Sequence, residues 1–288
     1  MLIGDPRAVE TQRLLEQAEK RDEWSRRTRT GPRETGRAGH RPMMHTPLTR
    51  HVPWRVGGDR RSVTSDPNEL GYKGFKDYTP RFLRWYDPWV VGFMAPRVWK
   101  TGSDPGIEVY RKHMRHRHLD VGPGTGYFIA ESEPPGDIEL TLVDPNPHVL
   151  DHCTQTLAKW NPKMIKASVL EPLPVKGPFD SAALAHVIHC LPGPMAAKVP
   201  AIEHIAAVLT DDGVLFGGTV LGLSANHAWA ARMFLRLANL HGGFDNSEDD
   251  VDGLRKMLEA SFEEVEIEVS GSIAYFVALR PKRRPPPA

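Results

Sequence analysis

Asp120, Gly122, Gly124 and Gly126 fall within one short stretch, "HLDVGPGTGYFI", His118–Ile129. Glycine at every second position costs backbone entropy, so the main chain there must turn in a way other residues resist or let a ligand come close. The carboxylate ahead of the loop narrows the ligand. A negative charge two residues before the first glycine repels a pyrophosphate and suits a cationic group. The nicotinamide and flavin fingerprint, Gly-x-Gly-x-x-Gly, has its third glycine where this chain has Tyr127, a bulky side chain at a point of close helix packing. A nucleotide-cofactor oxidoreductase, or a binding protein of the same fold without chemistry, remains the second reading of the loop.

Such a loop needs a strand that ends in it and a sheet around that strand. From His118 onward, apolar runs alternate with amphipathic ones. "RHLDVG", "IELTLVDPN", "KMIKASVL", "FDSAALAHVI" and "GVLFGGTVLG" read as five strands. "HVLDHCTQTLAKW" reads as a helix whose stripe is Val149, Cys153, Leu157 and Trp160. "MAAKVPAIEHIAAVL" is a helix despite Pro200, with "TDDG" as its exit turn, and "HAWAARMFLRLANL" and "DVDGLRKMLEASF" are two more. "EEVEIEVSGSIAYFVALRP" closes the pattern as a hairpin around "SGS", adding one antiparallel strand. Strands alternating with helices predict an α/β fold with a doubly wound, mostly parallel sheet, whose ligands lie beyond the carboxyl ends of the strands. The glycine loop sits there.

Upstream, "YKGFKDYTPRFLRWYDPWVVGFMAPRVWK" runs from Tyr72 to Lys100. Phe82, Trp85, Trp89 and Phe93 follow helical spacing, and Pro80 and Pro88 predict a break into two or three short helices. Residues 71–117 therefore read as an aromatic helical cap, packed on a core, walling a substrate, or both. Residues 7–25 read as a charged helix with Pro6 suited to its first turn. From Arg26 to Arg61 the chain carries ten arginines against Glu34 and Asp59, with much Gly, Pro and Thr. That composition buries too little apolar surface to fold alone, so residues 1–70 are expected to be a poorly ordered extension and 282–288 a disordered tail. An arginine-rich arm for nucleic acid or membrane is the weaker alternative, because aromatic residues are sparse there. The pair Met43–Met44 offers another start, which leaves open whether residues 1–42 belong to the native protein.

Composition excludes several classes. The 288 residues, 40% hydrophobic, suffice for one full-sized core, placed at residues 118–281. The formal charge of +1 identifies no partner. No run of 18 apolar residues occurs and the N-terminus lacks a signal-peptide apolar region. Two cysteines, Cys153 and Cys190, exclude a disulfide framework and show no zinc spacing, so no metal is expected. A cytoplasmic protein with neither nucleic-acid nor membrane partner is the plain expectation.

"LDVGPGTG" resembles the first motif of the class I S-adenosylmethionine-dependent methyltransferases, Asp/Glu-x-Gly-x-Gly-x-Gly. The resemblance covers about Gly71 to Pro281, and the closing hairpin matches that family's seven-stranded, Rossmann-like sheet. It implies S-adenosylmethionine as cofactor, with the backbone at Gly122, Gly124 and Gly126 approaching its amino acid part and Asp120 near its amino end. Asp144 matches the acidic residue that binds the ribose hydroxyls, since a carboxylate accepts two hydrogen bonds from a diol. Pro145 follows it on the cofactor side. "KASVLEPLP" matches the segment that brackets adenine, with Ser168 where the family often has an acidic residue and Val169 beside it. "ALAHVIHCLPG" matches the loop that lines both cofactor and methyl acceptor, which brings His186 to the cofactor.

The resemblance implies a direct displacement of a methyl group from an activated sulfonium, so alignment and exclusion of water dominate. A general base is needed only where the acceptor must lose a proton. The loop after the fourth strand discriminates among acceptors. It lacks the Asp/Asn-Pro-Pro-aromatic of nucleic-acid amino-methylating enzymes. No glutamate lies between Glu171 and Glu203, against the paired glutamates of protein arginine methyltransferases, and no carboxylate follows Asp180 until Glu203, against aminopropyltransferases. What remains is a small, neutral and partly aromatic acceptor, as in specialised metabolism. His186 and His189 are candidate general bases, the alternative being that His186 contacts cofactor or core and His189 is structural. Tyr78, Tyr86 and Trp89 from the cap, with His241 and Phe244 from "HGGF" over the pocket mouth, are the substrate-binding candidates. Cys190 reads as a small buried residue. A homodimer paired through the cap is open.

Overall fold

The computed structural model describes residues 78–101, 104–223 and 225–283. The helix expected at 7–25, the arginine-rich segment, Tyr72, Phe75 and residues 284–288 lie outside the described residues.

Seven strands form one sheet in the order β3-β2-β1-β4-β5-β7-β6. They are β1 Arg117–Val121, β2 Glu139–Val143, β3 Lys163–Ile165, β4 Phe179–Ala185, β5 Leu209–Val220, β6 Phe262–Ser270 and β7 Ile273–Pro281. β1 pairs in parallel with both β2 and β4. β7 alone runs antiparallel, inserted between β5 and β6 as the hairpin signal predicts. The strand order reverses on either side of β1, and a crevice opens where the loops after β1 and β4 diverge.

Helices cover both faces. On one, Ile202 and Ile205 of α5 (Val199–Ala206) and Leu254 and Leu258 of α7 (Val251–Glu259) pack on Leu119, Leu184 and Leu215. On the other, Tyr110 of α2 (Asp104–His113), Ile129 of α3 (Tyr127–Ser132) and Val149 and Cys153 of α4 (Pro147–Thr156) pack on Leu140, Leu142 and Phe216. The central strands are buried on both faces, so they read as continuous apolar runs. The stripe Val149–Cys153–Leu157–Trp160 is buried throughout. β6, at the sheet edge, exposes Glu263, Glu264 and Glu268, the charge that discourages edge pairing. α4 starts where Asn146 accepts the His148 N–H at 2.9 Å, with Pro147 in the first turn.

Two local expectations are corrected and one is refined. The aromatic run of the cap holds three short helical elements, as Pro80 and Pro88 predict, but no loop separates them. The chain is helical from Pro80 to Arg97, as α1 (Pro80–Tyr86), a π-helical stretch Asp87–Met94 and a last turn Ala95–Arg97. A proline cannot donate to the ladder, and here the ladder widens, ending with the Ala95 N–H on the Val90 carbonyl. The stripe Phe82, Trp85, Trp89 and Phe93 faces outward, with Trp85 68% exposed, while Leu83 and Met94 are covered. Helical spacing identifies a stripe but not which side the core takes. "TDDG" is not a turn after the helix but a bulge inside β5. Phe179 pairs with Leu209 and Ser181 with Val214, so the strand bows outward between them. Arg115 holds the bow by donating to the Asp212 carbonyl at 2.7 Å, and Arg283 by donating to the Asp211 carboxylate at 2.7 Å.

A buried ion pair anchors the segment after α6 (Trp229–His241). Lys198, with no exposed surface, donates to the Asp249 carboxylate at 2.6 Å and to the Asp245 carbonyl at 2.7 Å. Removing one partner strands a buried charge. Lys198→Met is expected to lower unfolding free energy by about 3–5 kcal/mol in urea titrations, and Lys198→Met/Asp249→Leu to recover most of it. A single-variant loss under about 1 kcal/mol would show that the pair does not hold the segment.

Candidate active site

Gly122, Gly124 and Gly126 all have positive φ, 72°, 59° and 78°. At Gly122 a β-carbon would stand 2.4 Å from Val187 Cγ2, so the loops after β1 and β4 touch there only because this residue has no side chain. At Gly124 a β-carbon would meet no atom within 4 Å, because this part of the loop faces open space. Thr125 donates its hydroxyl to Asp87 at 2.6 Å and ties the cap to the loop.

That space is a cleft of about 1130 Å³, counted out to its mouth. Its floor is Gly122–Thr125; Asp144, Pro145 and Asn146 form one end; Ser168 and Val169 one wall; Ala185, His186 and Val187 the other; Tyr78, Tyr86 and Asp87 cover it. Asp87 and Asp144 bring two carboxylates to its lining, and Asp120 adds a third close by. Asp120 is fully buried beneath the loop, where Oδ2 accepts the Tyr110 hydroxyl at 2.8 Å and Oδ1 has no hydrogen-bond partner among the described residues. Asp144 lines the cleft and accepts the Asn146 N–H at 2.7 Å. Burial pushes its pKa up to about 7, with the Asn146 N–H working against the rise and the charge of Asp120 adding to it. Ser168 Oγ accepts the Leu170 N–H at 3.2 Å, which shapes the wall rather than leaving the hydroxyl wholly free.

A second pocket, about 540 Å³, joins the first through Tyr86, Val91, Phe128 and His186. Val90, Ala95 and Trp99 line it from the cap, and His189, Val220, Ile273 and Tyr275 from the sheet. None of these lining side chains carries a formal charge at neutral pH. Desolvation drives His186 down to about 4 and His189 well below the usual histidine range, so both rings are neutral. Burial pushes Tyr86 up to about 12 and keeps its phenol protonated.

His186 and His189 do not share a helix. Only Ile188–Cys190 forms a 3-10 turn, and His186 ends β4 with φ 59°, its N–H bonded to the Gly218 carbonyl at 2.7 Å. The rings converge nevertheless, 6.2 Å between centroids. Tyr78 and Tyr86 both line the cleft, and of the two Tyr86 also lines the second pocket. Trp89 lines neither: it is half exposed and stacked on Phe93. His241 is exposed at the end of α6, outside both cavities. Phe244 stands behind His189, 4.3 Å between ring centroids, and the segment carrying it is not a lid at the mouth but a support for the inner wall, held by Lys198. The reading of the residues missed Asn146, Trp99, Phe128 and Tyr275. The signal for Asn146 was present, an N-cap residue two positions after Asp144.

Residues 119–215 match the family model described as a methyltransferase domain. The chain is 33% identical over 213 residues to the physcion biosynthesis cluster O-methyltransferase of Aspergillus chevalieri, covering 73% of this chain and 96% of that protein. It is 34% identical over 207 residues to demethylluteothin O-methyltransferase of Streptomyces thioluteus, covering 71% and 90%. The fold matches the N-methyltransferase NodS of Bradyrhizobium japonicum in complex with S-adenosyl-L-homocysteine, with a TM-score of 0.53 at 16% identity over 74% of this chain and all of that one. The oxidoreductase alternative is not favoured. Glycine loop, carboxylate order, sheet topology and relatives agree, and the chain belongs to the class I S-adenosylmethionine-dependent methyltransferases, acting on a small molecule in specialised metabolism.

Proposed function

We propose that this enzyme methylates a hydroxyl oxygen of a neutral, flat aromatic molecule. The observation that carries this is the second pocket: Tyr86, Trp99 and Tyr275 wall it, and among the described residues no charged side chain lines it to hold an amine or an acid. The names of the two bacterial and fungal relatives above support oxygen as the acceptor atom.

The residues present fit the cofactor. When bound, S-adenosylmethionine supplies a methyl group on a sulfonium that departs as a neutral thioether. On this reading the orphaned Oδ1 of Asp120 faces the cofactor's ammonium end, which would satisfy it. The open side of Gly124 and the left-handed backbone at Gly122 and Gly126 let the main chain approach the same end. Asp144 accepts the ribose hydroxyls, Pro145 lies beside it, and Ser168 and Val169 bracket the base. His186 stands between nucleotide and acceptor. On this reading Tyr78 and Tyr86 of the cap close the cleft over the catalytic domain of 118–281 and exclude water. We read the enzyme as cytoplasmic, with no nucleic-acid partner, and as a homodimer joined through the outward stripe of Trp85 and Trp89. Light scattering of the full chain tests that pairing, and the mass of one chain removes it.

Asp144→Ala is expected to weaken S-adenosylhomocysteine binding by about 1.5–3 kcal/mol in calorimetry. The diol prefers the ionised carboxylate, so binding releases a proton below about pH 7, the pKa of free Asp144. Affinity is expected to rise with pH up to that value and then level off, and Asp144→Asn to abolish the dependence. Unchanged affinity in Asp144→Ala would remove the residue from the ribose role. For the acceptor, a panel of phenols, aromatic amines and aromatic acids is offered with labelled cofactor. Label on phenols alone is expected, and label confined to amines or acids would overturn the proposal.

A further inference from the structure

Thr219 and Val220, at the end of β5, both reach one nitrogen of His189. The Thr219 hydroxyl and the Val220 backbone N–H each lie 3.3 Å from Nδ1. A backbone amide can only donate, so Nδ1 is the accepting, unprotonated nitrogen. A neutral imidazole has one N–H, which must then be Nε2–H. The ring has little freedom to turn over. Phe244 packs against it, and the backbone of His189 is held by the Asp245 N–H at 2.9 Å. Asp245 is in turn fixed by the buried Lys198.

His186 differs. Its ring stacks on Phe128, and among the described residues nothing hydrogen-bonds its ring nitrogens, so either tautomer is open to it. The two rings are 6.2 Å apart between centroids and inclined by 64°. A centroid gap of 6.2 Å leaves room for a single oxygen hydrogen-bonded to one nitrogen of each ring at about 2.8 Å.

We propose that His189 is a fixed Nε2–H donor to the acceptor oxygen and that His186 is the group that takes that oxygen's proton. The two candidate bases thus divide into one donor and one acceptor, and the inference rests on the O-methylation reading. The oxygen's lone pair forms the new O–CH₃ bond as the S–CH₃ bond breaks and its electron pair stays on sulfur. The O–H bond breaks towards His186, and the proton passes from there to solvent. A ring as weakly basic as His186 suffices, because the hydroxyl becomes strongly acidic as its oxygen is alkylated. His189 never accepts the proton; it orients the oxygen so that its lone pair faces the methyl group.

The test is ¹⁵N imidazole NMR of the full chain, with His186 and His189 assigned from single variants, joined to kinetics. His189 is expected to show Nε2 protonated and Nδ1 bare, unchanged from pH 5 to 8. His189→Phe is expected to lower kcat about 100-fold with S-adenosylhomocysteine affinity unchanged, and His189→Gln, whose amide also presents an N–H, to restore most of it. His186→Gln should lower kcat with no such rescue, since its amide N–H and carbonyl are not a base. An Nδ1–H tautomer, or a His189 titration near 6.5, overturns the assignment even while phenols are methylated. A His189→Phe enzyme within threefold of wild type overturns the donor role. An Nε2–H tautomer in an enzyme that methylates only nitrogen fails differently: the O-methylation reading falls, and the donor role falls with it, because a nucleophilic amine has no second lone pair to accept from His189.

Discussion

The loops after β1 and β4 meet at one contact, Gly122 against Val187, where any β-carbon would be 2.4 Å from a methyl group. The architecture of the site depends on it. β1 and β4 are already paired in the sheet, and the contact lies just beyond their ends, where strand order reverses. Gly122 and Val187 both line the cleft over Gly124, which Asp144 flanks. That cleft meets the uncharged pocket of Trp99, His189 and Tyr275 at Tyr86, Val91, Phe128 and His186. His186 stands between them because β4 ends there with a left-handed residue, whose N–H is already taken by Gly218. A nonglycine residue in that conformation is strained by about 1–3 kcal/mol, and such strain persists where the surroundings over-determine it.

The rest of the fold supplies rigidity around that junction. Asp120 is held under the loop by Tyr110 from α2, with one oxygen left unbonded. Asp144 is kept near neutrality's edge by burial and is pulled back by one backbone N–H. Each is costly to bury without a partner, and a bound cation or diol offsets that cost. The Lys198–Asp249 pair lies outside the cavities and holds the segment that backs His189.

Much of this was legible in the residues. The glycine loop, the carboxylate ahead of it and the one after β2 all sit where their spacing places them, because short strand-loop-helix units leave the chain little choice. All seven strands fall in segments read as strands, although β3 stops at Ile165 and β5 begins early at Leu209, and the hairpin at "SGS" puts β7 antiparallel to β6 as its pattern implies. The failures share a cause. Periodicity marks the stripe of Phe82, Trp85, Trp89 and Phe93 but not its side, and a π-helical stretch shifts the inward face to Tyr86, Val90 and Met94. "TDDG" has turn composition, yet strand pairing continues past it through a bulge held by distant arginines. Phe244 and His241 are near neighbours in sequence but not equivalent in space, since a helix C-terminus at Gly242 sends one inward and leaves the other in solvent. Trp99, although part of the aromatic run, and Tyr275 were not assigned to the site, because only tertiary packing brings them together.

On the proposed function, the two cavities joined at His186 hold the nucleotide and the acceptor. A crystal structure of the full chain with S-adenosylhomocysteine tests that most directly. The expected result is a ribose on Asp144, an ammonium group over Asp120, and the sulfur at the junction of Tyr86, Phe128 and His186, open towards Trp99 and Tyr275. A nucleotide bound with its sulfur turned away from that junction, or seated outside the glycine-loop cleft, would contradict it.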